Sequence, residues 1–374
     1  MPPLSRADTS LLGRWWWSVD RWTLVAIAVL IGFGYVMMLA ASPAVAERIG
    51  EARDAFILKQ VAFLVLAGAI VISISLLSPH DIRRIGVIGG TVALALTAAT
   101  LVVGTEIKGA RRWIALPGLS LQPSEFLKPC FAIVTAWLLA EGRRQARFPG
   151  LAIATAIFAV IALALKSQPD IGMLTVLTAV FLAQLFVYGL NMILVAIGLA
   201  AMGGAGVAAY VLFPHVHSRV ARFLDPAAGD HYQVTTSLEA FGNGGLLGRG
   251  PGEGQVKNVL PDAHADFVFA VAGEEFGLLI CLAVIAVFAF IVLRGLLRLR
   301  EENDLFAVLA AAGLVTSFGL QAFVNMASSL HLIPTKGMTL PFVSYGGSSV
   351  LAVALGIGML LALTRRRHHG DLPS

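Results

Sequence analysis

Ten predominantly apolar stretches, most of them 17 to 25 residues long, alternate along the chain with mainly short polar connections. Runs of that length are not half-polar in the manner of a water-facing helix. At 1.5 Å per residue they are long enough to cross a hydrocarbon layer of about 30 Å. They predict helices near 23–42, 57–77, 85–103, 124–140, 150–166, 171–189, 192–213, 267–293, 305–328 and 346–364. The expected fold class is therefore all-α, a polytopic integral membrane protein with about ten transmembrane helices in one domain over 1–374. Tails at 1–22 and 365–374 flank it, and a polar loop of about fifty residues over 214–266 separates helices seven and eight.

Composition closes off other classes. With 57% hydrophobic and 13% charged residues, the chain is far from a soluble domain. The net charge of +5 is spread over connections beside membrane helices, which points to membrane lipids and away from nucleic acid. Cys130 and Cys281 both fall inside apolar runs and predict no disulfide. Ala44-Val45-Ala46 resembles a small-residue cleavage site. The apolar run before it is longer than a secretory h-region, so it is expected to stay as the first spanning helix.

Arg and Lys near the helix ends set the orientation. Arg6, Arg14 and Arg21, Arg83-Arg84, Arg143-Arg144-Arg147, Arg294/Arg298/Arg300 and Arg365-Arg366-Arg367 fall on one side, which is expected to be cytoplasmic together with both termini. The 214–266 loop then lies outside. Lys108, Arg111, Arg112, Lys128 and Lys336 run against this preference, and an anionic ligand at the outer leaflet would account for them.

Four outer segments carry candidate chemistry. The first is Lys108-Gly109-Ala110-Arg111-Arg112-Trp113, followed by Gln122-Pro123-Ser124-Glu125-Phe126-Leu127-Lys128. Pro123 and Ser124 suit a helix start and Glu125 its first turn, which places Lys128 one turn inside. These cations could bind phosphate or simply anchor lipid headgroups. The second is Gln168-Pro169-Asp170, a turn between two apolar runs. The third is the long loop, glycine-rich between Gly242 and Gly254, which ends in His264-Ala265-Asp266. Its glycines permit close backbone approach or a flexible lid, and lack the Lys-Ser/Thr ending of a phosphate loop.

Asp266 sits where the chain re-enters the membrane, with Glu274 and Glu275 about two turns deeper. Carboxylates at that depth usually mark a function or a buried pair, although an Asp there could also cap the helix. Partial desolvation would make Asp266 a better base. The outer histidines His215, His217, His231, His264 and His331 have no zinc-site spacing, so no metal ligands are expected. The fourth segment, from Leu332 through Pro334-Thr335-Lys336-Gly337 to Gly346-Gly347-Ser348-Ser349, is too irregular for a helix and is expected to wall a cavity.

Together these segments resemble the SEDS family (shape, elongation, division and sporulation) of peptidoglycan polymerases, from the first helix to the last. Pro334-Thr335-Lys336-Gly337 and Ala272-Gly273-Glu274-Glu275 look more like its division branch than its elongation branch. Ala265, where the family often has Thr, and Val259, where Tyr is common, are departures that flank Asp266. The resemblance implies transfer of glycosyl units from lipid II, a disaccharide peptide on undecaprenyl pyrophosphate, at the outer face of the inner membrane during septal division. Asp266 would be the general base. Arg111, Arg112, Trp113, Lys128 and Lys336 would bind the diphosphate and lipid II, supported by Glu125, Asp170, His264, Glu275 and Ser348. No cofactor is required, although a divalent cation (Mg or Mn) could accompany the diphosphate. The implied partners are a class B penicillin-binding protein and other division proteins. A lipid II flippase, an elongation-type polymerase and a non-catalytic scaffold are the rival readings.

Overall fold

Helices occupy all ten apolar runs in the computed structural model. It describes residues 10–365 apart from 51, 53, 108–109, 117–118, 190–191, 225–231 and 335–336. A short helix α1 (Leu11–Ser18) precedes α2 (Arg21–Ile49), α3 (Ala55–Ser75) and α4 (Pro79–Val103). Strands β1 (Thr105–Ile107), β2 (Ala110–Leu116) and β3 (Leu119–Leu121) follow, then α5 (Pro123–Arg144), α6 (Gly150–Ser167), α7 (Ile171–Tyr188) and α8 (Met192–Leu212). The connection to the next long helix holds α9 (Pro214–Leu224), α10 (Tyr232–Gly244) and α11 (Val256–Val259). The chain closes with α12 (Val268–Leu299), α13 (Leu305–Ser329) and α14 (Gly347–Leu363).

Among the described residues, seven helices are long and apolar enough to cross a membrane, while α14, with 17 residues, is shorter. Large apolar side chains such as Val25, Leu58, Val65, Ile88, Leu163 and Leu293 face outward, as a lipid surround requires. α13 is the central staff: 67% of its apolar window is buried, against 22–44% for the other six. It packs against α5, α7, α12 and α14. α2 runs on past the expected end through Ala44, Val45 and Ala46, and the last two are buried inside it. Cys130 and Cys281 are both free and buried.

Two features depart from the expectation of helices joined by irregular loops. The segment after α4 is a small antiparallel sheet of order β1-β2-β3, with Glu106 opposite Arg111 and Ile114 opposite Leu121. The long loop, moreover, is neither irregular nor a lid over most of its described length. α10 lies against α12, and Ser237 Oγ donates to the Ser329 carbonyl at 2.7 Å.

The glycine-rich stretch after α10 is built into α12 itself. At 32 residues α12 would be about 48 Å long, well over the apolar thickness, but it is broken at Gly277 (φ 76°, ψ −178°). The loop fills the break. Leu278 N–H donates to Gly245 O at 2.9 Å, and Arg249 and Gly250 N–H donate to Glu274 O and Glu275 O at 2.9 and 3.0 Å. The approach is so close that a Cβ on Gly277 would lie 2.3 Å from Gly248 N, and one on Gly248 2.2 Å from Glu275 O.

Candidate active site

One end of the bundle gathers the start of α5, the approach to α12, the last turns of α13 and the irregular segment before α14. Asp266 stands two residues before α12. The cap position belongs to Phe267 and has no side-chain cap hydrogen bond, so capping does not explain the aspartate. Its main chain is fixed twice: its N–H donates to Asp262 O, and its carbonyl accepts from Asn325 Nδ2, both at 3.0 Å. Asp266 is half-buried. Its carboxylate lies against Gly337, where an added Cβ would be 2.5 Å from Oδ2. A side chain at 337 would collide with the carboxylate, and this gives the Lys336-Gly337 pair its glycine.

Lys128 is buried one turn into α5. Its ammonium is 2.7 Å from Glu125 Oε2 and donates to Gln321 Oε1. Gln321 in turn donates to Thr339 O at 3.1 Å and to Thr339 Oγ1 and Ser349 Oγ at 3.2 Å. Asn325, one turn further along α13, donates to Met338 O at 2.6 Å as well as to Asp266 O. Lys128, the 338–339 strap and Asp266 are thus tied to a single face of α13.

The remaining candidates fall into place around this cluster. Arg112 clasps the second segment, donating to Gln168 O at 3.0 Å and Pro169 O at 2.7 Å and lying 3.5 Å from Asp170 Oδ2. Asp170 also caps α7 through Met173 N. Arg111 pairs with Glu106 at 3.4 Å on an exposed surface, and Trp113 is half-buried opposite Thr105 in the sheet. Ser348 Oγ accepts from Gln122 N–H at 3.1 Å, which joins the start of α14 to that of α5. Lys336 and His231 lie outside the described residues.

His264 is buried, with its ring 5.2 Å from Phe56 and 5.1 Å from Tyr345 between centroids. Burial depresses its pKa to about 4, against an opposing pull from Asp262, so the imidazole is neutral at pH 7. Glu275 belongs to a different structure. Its Oε1 is 2.6 Å from Lys257 Nζ and its Oε2 accepts from Gly252 N–H at 2.8 Å, which fastens the glycine-rich loop to α12. Among the described residues, no group of three or more His, Cys, Asp or Glu side chains could hold a metal ion.

Gln321 and Asn325 were not among the residues singled out from sequence. The signal was available: two carboxamides four residues apart in an otherwise apolar run lie on one helix face, where burial demands partners. Gln60, another carboxamide in an apolar run, donates to Ser344 O, and Ser344, inside the fourth segment, donates through Oγ to Ala265 O.

Comparison with known proteins decides the family. The model of the FtsW/RodA/SpoVE cell cycle proteins matches residues 21–369. The chain belongs to this family. Within it, the protein named "Probable peptidoglycan glycosyltransferase FtsW" of Caulobacter vibrioides is 44% identical over 365 residues, covering 97% of this chain and 93% of that one. A protein of the same name from Alkalilimnicola ehrlichii is 36% identical, covering 95% and 92%. Among solved structures, a chain of a peptidoglycan synthase complex that coordinates polymerization and crosslinking superposes with a TM-score of 0.76 at 26% identity. That match covers 92% of this chain and 97% of the other. The rod shape determining protein RodA of Thermus thermophilus superposes with a TM-score of 0.69 at 26% identity, covering 93% and 97%. These matches run along the whole bundle, so the SEDS resemblance of the motifs extends to the fold that holds them.

Proposed function

We propose that this chain, a peptidoglycan glycosyltransferase of the FtsW type, polymerises lipid II at the outer face of the inner membrane during septal division, with Asp266 as general base. The 4-hydroxyl of an acceptor sugar is a poor nucleophile, and a carboxylate within hydrogen-bond reach takes its proton as it attacks. The bond to undecaprenyl pyrophosphate breaks in the same displacement, which inverts the anomeric carbon. The diphosphate leaves as an anion and needs no acid, but its developing charge needs cations in a site poor in water. Lys128 and Lys336 fill that role, with Arg112 shaping the outer rim from the 168–170 turn and Arg111 and Trp113 on the adjoining sheet. A divalent cation carried by the diphosphate would add to the neutralisation.

The observation that supports this reading is the half-buried Asp266 carboxylate against the 337–339 strap, with buried Lys128 tied to that strap through Gln321. A class B penicillin-binding protein supplies the crosslinking that nothing in this chain's chemistry provides. The decisive assay gives purified protein and that partner lipid II in detergent and measures glycan chain length. Chains form with the parental protein and not with Asp266→Ala. A flippase or a scaffold would form none with either, and full polymerisation by Asp266→Ala would remove the base.

A further inference from the structure

Gln321 and Asn325 are sealed from solvent, one helical turn apart on α13. Buried carboxamides are tolerated where their hydrogen bonds are met, and here those bonds run to four separate elements. Gln321 reaches Lys128 on α5, Thr339 on the strap and Ser349 at the start of α14. Asn325 reaches Asp266 ahead of α12 and Met338 on the strap. Which atom of Asn325 faces them is not in doubt: both partners are carbonyl oxygens, so the NH₂ must point at them. Its Oδ1 is buried without a hydrogen-bond partner.

The residue types are informative. Lys128 already has one carboxylate partner in Glu125; the amide oxygen of Gln321 orients the ammonium without adding a second negative charge, whereas a carboxylate at 321 would compete with an incoming anion. Asn325 grips Asp266 by the main chain, a hold that aims the carboxylate without donating to it and therefore without lowering its basicity. The adjacent residues Met338 and Thr339 give the two amides a common strut.

We infer that Gln321 and Asn325 are positioning residues for glycosyl transfer, Gln321 setting Lys128 for the diphosphate and Asn325 setting Asp266 for the acceptor hydroxyl. The inference rests on the base and cation roles proposed above. It predicts separable kinetic signatures: the amide that serves the anion changes KM, while the one that serves proton removal leaves KM alone and moves the pH profile.

The test uses the full-length protein with its transpeptidase partner, initial polymerisation rates over a range of lipid II concentrations, and a pH series. Gln321→Leu should raise KM roughly tenfold and lower kcat as well, since a hydrogen bond to the cation that holds the diphosphate and meets its developing charge is lost. Gln321→Glu should raise KM further. Asn325→Asp should lower kcat roughly tenfold at unchanged KM and move the acidic limb of the kcat profile to higher pH, because a second carboxylate beside Asp266 disfavours its ionised form. Asn325→Leu should lower kcat without that movement. A purely structural role would reduce the active fraction of all four alike, leaving KM and the pH profile where they were, and would overturn the inference. Asp266→Ala is run in parallel. If it is inactive while the four variants keep parental KM, kcat and pH profile, this inference alone fails. If Asp266→Ala is itself active, the base assignment fails first.

Discussion

The chain places carboxylates at two points, on the approach to α12 and along its first turns, in contrasting surroundings. At Glu274 and Glu275 the side chains are sealed from solvent. Glu275 is held by Lys257 and Gly252, and Glu274 accepts from Val256 N–H at 2.9 Å and faces Arg249 at 3.5 Å. Asp266, about two turns earlier, is only half-buried, and its peptide N–H and carbonyl are engaged by Asp262 and Asn325. A carboxylate whose oxygens are taken by its own chain is a fastener. One that is aimed through its backbone and left partly accessible can exchange a proton with a substrate. Exposure, not residue type, separates the two.

This contrast can be broken by substitution. Asp266→Asn should reduce kcat by about 10²- to 10⁴-fold while leaving the melting temperature in detergent near its parental value. Lys257→Met should do the reverse. Removing one partner of a buried pair costs about 3 kcal/mol or more, so the melting temperature should fall sharply while the rate per folded molecule survives. Gly277→Ala tests the fastener from the other side. The left-handed φ and the contact with Gly248 N should cost about 2 kcal/mol, read as thermal destabilisation with kcat retained.

A smaller effect concerns His264, which lies beside both regions. Its folded pKa of about 4 is below the ordinary 6.5, so between these values the unfolded chain binds a proton that the folded chain lacks. Stability should therefore fall as the pH drops from 6.5 towards 4, by at most about 1.4 kcal/mol per pH unit. Melting curves should show a shallower fall in His264→Phe than in the parental protein.

The comparison also marks where the sequence was legible. Predominantly apolar runs coincide with ten of the helices, because helices in an apolar surround need no polar face. The motifs that carry chemistry were visible because charges and prolines stand out against an apolar background. Glu275 was grouped with Asp266 because depth alone does not reveal that Lys257, from a distant part of the loop, would meet it. The small sheet within 105–121 is not legible from apolar periodicity, although the sequence sets Gly109 and Pro117-Gly118, residue types that favour turns, on either side of 110–116. Gln321 and Asn325 were hidden by being polar in a place where only tertiary packing assigns partners.

The glycine break in α12 has a mechanical consequence. The main-chain donors of Leu278 and Leu279 that a continuous helix would satisfy internally are instead met by Gly245 and Leu246, so the glycine-rich loop serves as a substitute turn of the helix. At its other end the same helix is moored to the start of α2, with Arg294 2.6 Å and Arg298 3.6 Å from Asp20. A pull on the loop would load a rod whose far end is clamped to the start of α2, so strain at one end of the bundle would reach the other.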